Sequence, residues 1–276
     1  MPKVPPIVPI EFSSESRPLD VQSPLHRYSS FTVLSGRPGS GKSTALLNLI
    51  TRRPYYAGRY DTVYVISPSF NSVTGDDMFA GIPDSQKFKE LNTEVLDTIV
   101  ENIRQFHQGE HVLIIMDDCI NDLARSTTNT ALQRLCFNRR HLCSQDPDAP
   151  KGGFCSIICT TQVLNRLPLQ LRKMASSVWL YPTKSPKERA CISEELVPCS
   201  KSAFEDILKK AWTSQHSPLI CDCDNGTYWR VGASGFERII SGDEWVDEST
   251  SQAFNSGRNP IEAAKFEVLQ NYFDKK

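Results

Sequence analysis

The chain carries no surplus charge of either sign. Its 31 lysines and arginines face 32 aspartates and glutamates, a formal net charge of −1 over 276 residues. That balance excludes the global basic field with which a monomer coats nucleic acid. DNA contact is left to a few loops, such as those lining the inside of a ring. Long apolar runs are also missing: none approaches the ~20 residues that cross a bilayer. The N-terminus has no apolar h-region, so neither a membrane span nor a targeting peptide is expected. No internal repeat occurs. The first 25 residues hold six prolines and no helical period, which predicts an extended arm over residues 1–27.

Cysteine is not scarce, at nine residues, but the number is odd and the positions are scattered through apolar stretches. That usage fits a reducing compartment in which cysteine serves as a small hydrophobe. Cys221 and Cys223 alternate in a strand-like segment and are expected on one face. Cys191 and Cys199 would have to join them to complete a zinc site, and packed strand cysteines are the simpler reading. A chain of this length can bury a sizeable core without disulfides or metals.

What is present begins with Gly36-Arg37-Pro38-Gly39-Ser40-Gly41-Lys42-Ser43-Thr44, which matches G-x-x-x-x-G-K-[ST] at every fixed position. An apolar run, Phe31 to Leu34, precedes it, and Ala45, Leu46, Leu47, Leu49 and Ile50 follow at helical spacing. Strand, glycine-rich turn and helix are the setting a phosphate-binding loop requires. Glycines let several N–H groups aim at one point, the helix dipole adds partial positive charge, and Lys42 adds a full one. Ser43 offers a hydroxyl to Mg²⁺, while Thr44 packs or caps. The expected ligand is a nucleoside triphosphate.

Further strands are predicted at 62–66, 112–116, 154–161 and 178–181, with helices over 93–106, 128–137 and 202–212. Residues 69–85 read as a polar surface insertion. Asp224-Asn225-Gly226 separates two short strands as a hairpin, and Pro260 to Phe273 reads as an amphipathic helix capped by Asn259. Alternating strands and helices imply a mostly parallel α/β sheet with helices on both faces, in one domain over 28–240 and a tail over 241–276. Ligands then bind outside the carboxyl ends of the strands. The phosphate loop, Asp117-Asp118 and Gln162 each end a strand, so all three are expected on that edge.

Asp117 follows an apolar strand, as the second acidic element of a P-loop ATPase does, and is expected to support Mg²⁺ opposite Ser43. Asp118 is placed to orient, or accept a proton from, the water attacking the γ-phosphate; many such ATPases carry glutamate there. Gln162 can donate and accept, and so can sense the γ-phosphate. The strand order resembles the RecA-like, additional-strand group of P-loop ATPases. Neither the Asn-Lys-x-Asp motif of GTPases nor the Leu-Ser-Gly-Gly-Gln motif of transporter ATPases occurs.

Taken together, the phosphate loop, Ile114-Ile-Met-Asp-Asp118, Asn138-Arg-Arg-His141 and the strand ending in Gln162, followed by Leu167-Pro168 and Leu171-Arg172, resemble the poxvirus-type viral genome-packaging ATPases of the FtsK–HerA superfamily. The resemblance covers residues 28 to 240. It implies a RecA-like core and an ATP hydrolase using Mg²⁺. It also implies a homo-oligomeric ring (pentamer or hexamer) around double-stranded DNA, a capsid or portal partner, and a place in the infected cell's cytoplasm or the virion. It further implies an arginine reaching a neighbour's γ-phosphate, for which Arg140 is the first choice and Arg139 and Arg172 the others. A nucleotide or nucleoside kinase is one competing reading, though an arginine-rich lid and a base-binding Asp-Arg element do not stand out. A non-translocating P-loop switch is another. The loops at 183–189 and 55–59 are basic and are candidates for touching DNA phosphates.

Overall fold

A computed structural model describes residues 17–68, 79–119, 126–146, 148, 151–233 and 235–240. Residues 1–16 of the expected arm, most of the 69–85 insertion and the helix expected at 260–273 lie outside the described residues. Contacts divide the chain into two units, Met1–Ile239 and Ile240–Lys276, and only Ile240 of the second is described.

Nine strands form one sheet. In chain order they are β1 (Phe31–Ser35), β2 (Thr62–Ile66), β3 (Lys87–Phe88), β4 (His111–Met116), β5 (Phe154–Thr161), β6 (Ser177–Leu180), β7 (Leu219–Asp222), β8 (Thr227–Val231) and β9 (Phe236–Ile239). The helices are α1 (Lys42–Thr51), α2 (Thr93–Phe106), α3 (Ser126–Asn138), α4 (Leu169–Lys173), α5 (Pro186–Glu195) and α6 (Lys201–Ala211). The spatial order is β3-β2-β4-β5-β1-β6-β7-β8-β9. Pairing is parallel from β3 through β6 and antiparallel from β6 through β9. The sheet is mostly parallel, as expected.

The order of strands fixes where the helices go. From β1 the chain crosses three places one way to β2 and one more to β3; from β3 to β4, β4 to β5 and β5 to β6 it moves the other way. Right-handed crossovers therefore put α1 on one face and α2 to α4 on the other. Burial follows this division. Alternate strand residues such as Val33, Ile66, Ile114, Ile157 and Val178 join Ile99, Leu132, Leu171 and Phe204 in one buried cluster. The intervening Leu34, Val65, Ile115, Ile158 and Trp179 face the other way and are buried too, on the side of Leu46 and Leu49 of α1. Strands buried on both faces explain why β1, β4 and β5 read as continuous apolar runs.

Several local expectations change. Of the segment read as an extended arm, the described residues 17–27 lie against the domain: Leu19, Val21 and Leu25 are buried, and the His26 N–H donates to Tyr56 Oη at 3.0 Å. The expected basic loop at 183–189 instead enters α5, where Ser185 caps and Pro186 takes the first turn. Arg189 pairs there with Glu205 at 2.6 Å. In the 55–59 loop Tyr56 is buried, and Arg59 pairs with Asp20 at 3.1 Å. The hairpin at 224–226 is present, with Gly226 at φ 64°. Cys221 is buried in β7, but Cys223 lies past the strand's end and is exposed. Among the described residues no group of three His, Cys, Asp or Glu side chains is arranged to hold a metal.

Candidate active site

The reversal of chain direction occurs between neighbouring strands β1 and β5, which makes their carboxyl ends a topological switch point. The phosphate loop leaves β1 there. Gly36 N–H continues the ladder to Thr161 O at 3.0 Å, after which the chain turns sharply into α1. Gly39 and Gly41 adopt φ of 76° and 102°, which side-chain-bearing residues rarely take. Gly36 is needed for a different reason: a Cβ there would lie 2.6 Å from Tyr181 Cβ.

Pro38, Gly39, Gly41, Lys42, Ser43 and Thr44 line a cleft of about 830 Å³. Gly36 and Ser40 are buried behind them, and Arg37 is exposed. Thr44, the last residue of the stretch expected to bind nucleotide, borders the cleft too. Lys42 is buried, and its Nζ donates to Gly36 O at 2.5 Å and Arg37 O at 3.3 Å. Burial lowers its pKa, while Asp118 and Asp117 pull the other way. The ammonium thus stands between main-chain oxygens and two carboxylates.

The two acids end β4, across β5 from the loop, and both line the cleft. Asp117 keeps strand geometry, its N–H donating to Ile66 O at 2.9 Å. Thr160 Oγ1 on β5 donates to Asp117 Oδ1 at 2.7 Å and accepts from the Asp118 N–H at 2.9 Å. One hydroxyl therefore links both acids. Burial raises the Asp117 pKa, with the Thr160 hydrogen bond opposing it. Asp118 has φ 51°, the only positive value at a non-glycine among the described residues. Such a conformation persists only when its surroundings over-determine it. The second restraint is Gln162, whose Nε2 donates to Asp118 Oδ1 and Oδ2 at 3.2 and 3.0 Å. The three strand ends meet as expected.

Two residues that sequence reasoning missed hold the loop from outside. Tyr181 Oη donates to Gly41 O at 3.2 Å, and His216 Nδ1 lies 3.2 Å from Ser40 O. A carbonyl can only accept, so His216 carries its proton on Nδ1. Its loop is anchored by Trp212, whose Nε1 donates to Leu180 O at 2.9 Å. No motif marks these positions. Their only sequence signal is that Tyr181 follows a strand, as the candidate site residues do.

The three arginines separate cleanly. Arg139 is buried, donates to Cys136 O at 2.5 Å and Ser176 Oγ at 3.4 Å, and has its pKa lowered by burial. It cannot reach a neighbour. Arg172 forms a two-pronged ion pair with Glu195, both contacts at 2.8 Å, and donates to Leu167 O. Arg140 is exposed just past α3. There Arg139 O accepts from the Cys155 N–H at 3.1 Å, near the start of β5 and so on the sheet edge opposite the cleft. The structure does not bring Arg140 to the site of its own chain.

No family model and no curated protein matches the sequence. Solved structures do. The DNA-packaging ATPase B204 from Sulfolobus turreted icosahedral virus is 17% identical over 74% of this chain and 97% of its own, with a TM-score of 0.53. The genome packaging NTPase B204 from Sulfolobus turreted icosahedral virus 2, in complex with sulfate, is 17% identical over 73% and 95%, with a TM-score of 0.53. In complex with AMPPCP it is 16% identical over 77% and 98%, with a TM-score of 0.50. The chain shares their RecA-like P-loop fold. The match spans nearly all of B204 and leaves about a quarter of this chain beyond it.

Proposed function

We propose that the chain is an ATP-hydrolysing motor subunit, of the viral genome-packaging type within the FtsK–HerA superfamily. It works as a homo-oligomeric ring that drives double-stranded DNA into a capsid. The observation that carries this reading is the placement of β5. It lies between the phosphate-loop strand and the acid strand and sets Gln162 on Asp118 at 3.0 Å. That additional strand separates this arrangement from simple phosphotransferases, and a paired acid and amide suits activation of water better than transfer to a substrate hydroxyl. The fold shared with B204, a protein described as a packaging ATPase, supports the same reading.

In this proposal Lys42 neutralises charge on the β- and γ-phosphates. Asp118 orients the attacking water and takes its proton as the water oxygen bonds to the γ-phosphorus and the bond to ADP breaks. Ser43 and Asp117 are oxygen donors facing the same cleft, the hard ligand type that fits Mg²⁺. The buried Asp117 carboxylate, whose charge is disfavoured by desolvation, gains from a cation there. Mg²⁺, when bound, supplies charge neutralisation across the phosphates. Gln162 exchanges Asp118 for the γ-phosphate and so reports its presence. Arg140 acts on the neighbouring subunit.

The test is phosphate release from ATP with and without double-stranded DNA, on protein imaged with a non-hydrolysable analogue. A ring with DNA-stimulated turnover is expected. Turnover only with a nucleotide acceptor would replace the motor with a kinase, and a monomer without stimulation would leave a switch.

A further inference from the structure

The cleft does not end at the phosphate loop. It continues along the flank of α1, past Asn48 and Leu49, to Tyr55, Trp179 and Phe236. Tyr55 and Phe236 have ring centroids 5.5 Å apart, and Trp179 meets Phe236 edge-on at 5.7 Å. Phe236 is half-buried, and Val231, directly opposite it in the β8–β9 ladder, is 42% exposed. An apolar, aromatic wall therefore extends a cavity whose other end is built for phosphates. A ten-residue helix such as α1 is about 15 Å long, so a wall along its flank is within the reach of a nucleotide whose phosphates sit on the loop, in the same cleft.

The chemistry of the wall limits what it can recognise. Aromatic faces stack on any nucleobase, which binds them through its π-face irrespective of its edge. Reading guanine requires an acceptor for its N1–H and N2–H groups, best met by a carboxylate. Among the described residues the carboxylates lining this cleft are Asp117 and Asp118, both on the phosphate side. We infer that Tyr55 and Phe236, with the buried Trp179 packed edge-on behind Phe236, form a nucleobase subsite that holds a purine by stacking and does not read its hydrogen-bonding edge. The inference rests on the proposed nucleotide-binding function of the same cleft and adds that adenine and guanine nucleotides are accepted alike.

The test is calorimetric titration of the full chain, with Mg²⁺ present, using AMPPCP, its guanine counterpart and inorganic tripolyphosphate. Tyr55→Ala and Phe236→Ala should each weaken AMPPCP about tenfold and leave tripolyphosphate unchanged, while Tyr55→Phe binds as the wild type does. The two purine analogues should bind within about threefold of each other. Unchanged AMPPCP affinity in both alanine variants would overturn the subsite. Equal losses for AMPPCP and tripolyphosphate would also overturn it, reducing the cluster to a support for the loop. Rejection of the guanine analogue by more than about tenfold would overturn the stacking-only recognition. If the wild type binds neither nucleotide nor tripolyphosphate, and Lys42→Ala changes nothing, the nucleotide-binding reading itself fails and the subsite with it.

Discussion

Gln162 Nε2 bridges both carboxylate oxygens of Asp118, at 3.0 and 3.2 Å, across 44 residues of sequence. The amide fixes the plane of the carboxylate, and the carboxylate leaves the amide few other partners. Asp118→Asn should keep nucleotide binding and slow hydrolysis about a hundredfold, the size of a lost general base. Gln162→Ala should cost less, about tenfold. Gln162→Glu should be worse than alanine, because it sets two like charges together. Single-turnover phosphate release, beside a binding titration, measures all three. If binding collapses in Asp118→Asn while bound ATP still turns over, the roles of the two acids are exchanged.

Asp117 should show opposite effects on stability and activity. Burial raises its pKa in the folded protein, so ionisation opposes folding once the pH passes through that raised value. Below the unfolded carboxylate's pKa, about 3.9, both states are protonated and the penalty disappears. Asp117→Asn can still accept from Thr160 and removes the charge. Without nucleotide or Mg²⁺, the variant should melt at or above the wild-type temperature at pH 7. The difference should shrink as pH falls towards 4. Turnover should be lost. A variant that melts well below wild type at pH 7 would contradict this.

Tyr181 and His216 touch the loop's main chain and no reacting atom, so their loss should appear in substrate affinity. Tyr181→Phe removes one neutral hydrogen bond of about 1 kcal/mol. The expected result is a KM for ATP raised about fivefold, with kcat nearly unchanged. Gly36→Ala should be far more damaging, since its Cβ would be driven into Tyr181 at 2.6 Å. Steady-state kinetics on the three proteins distinguishes positioning from chemistry: a fall in kcat alone for Tyr181→Phe would refute the positioning role.

The arginine assignments predict a contrast in mixing experiments. Arg140→Ala should be inactive alone and regain part of its phosphate release when mixed with Asp118→Asn subunits, because some interfaces then join an intact acid to an intact arginine. Arg172→Ala should lower thermal stability through loss of its Glu195 pair, and Arg139→Ala should destabilise by about 2 kcal/mol or more, since its stem and head are buried. Neither should show recovery on mixing that Arg140→Ala lacks. Recovery with Arg172→Ala and none with Arg140→Ala would move the finger.

Much of the fold was legible because the strands that carry the site are buried on both faces and so spell themselves out as apolar runs ending in polar residues. The loop, Asp117, Asp118 and Gln162 could be placed on one edge from that alone. The edge strands were harder. β3 has two residues, and β9 carries Glu237 and Arg238 on a half-buried strand, so neither shows an apolar pattern. α5 buries only Cys191 and Ile192, which left its Ser-Pro start signal without a helical stripe to follow. Thr160, Tyr181 and His216 act through tertiary proximity, and nothing in their spacing reveals it.

The left-handed backbone at Asp118 bears on which sequences can occupy the position at all. Short polar side chains, aspartate and asparagine foremost, visit that region at modest cost, whereas longer ones gain nothing there to offset the crowding of Cβ. An Asp118→Glu exchange would therefore place a longer side chain on a main chain that does not favour it. The turn after β4 and the length of the acid it carries are thus a matched pair, and a longer acid calls for a different turn.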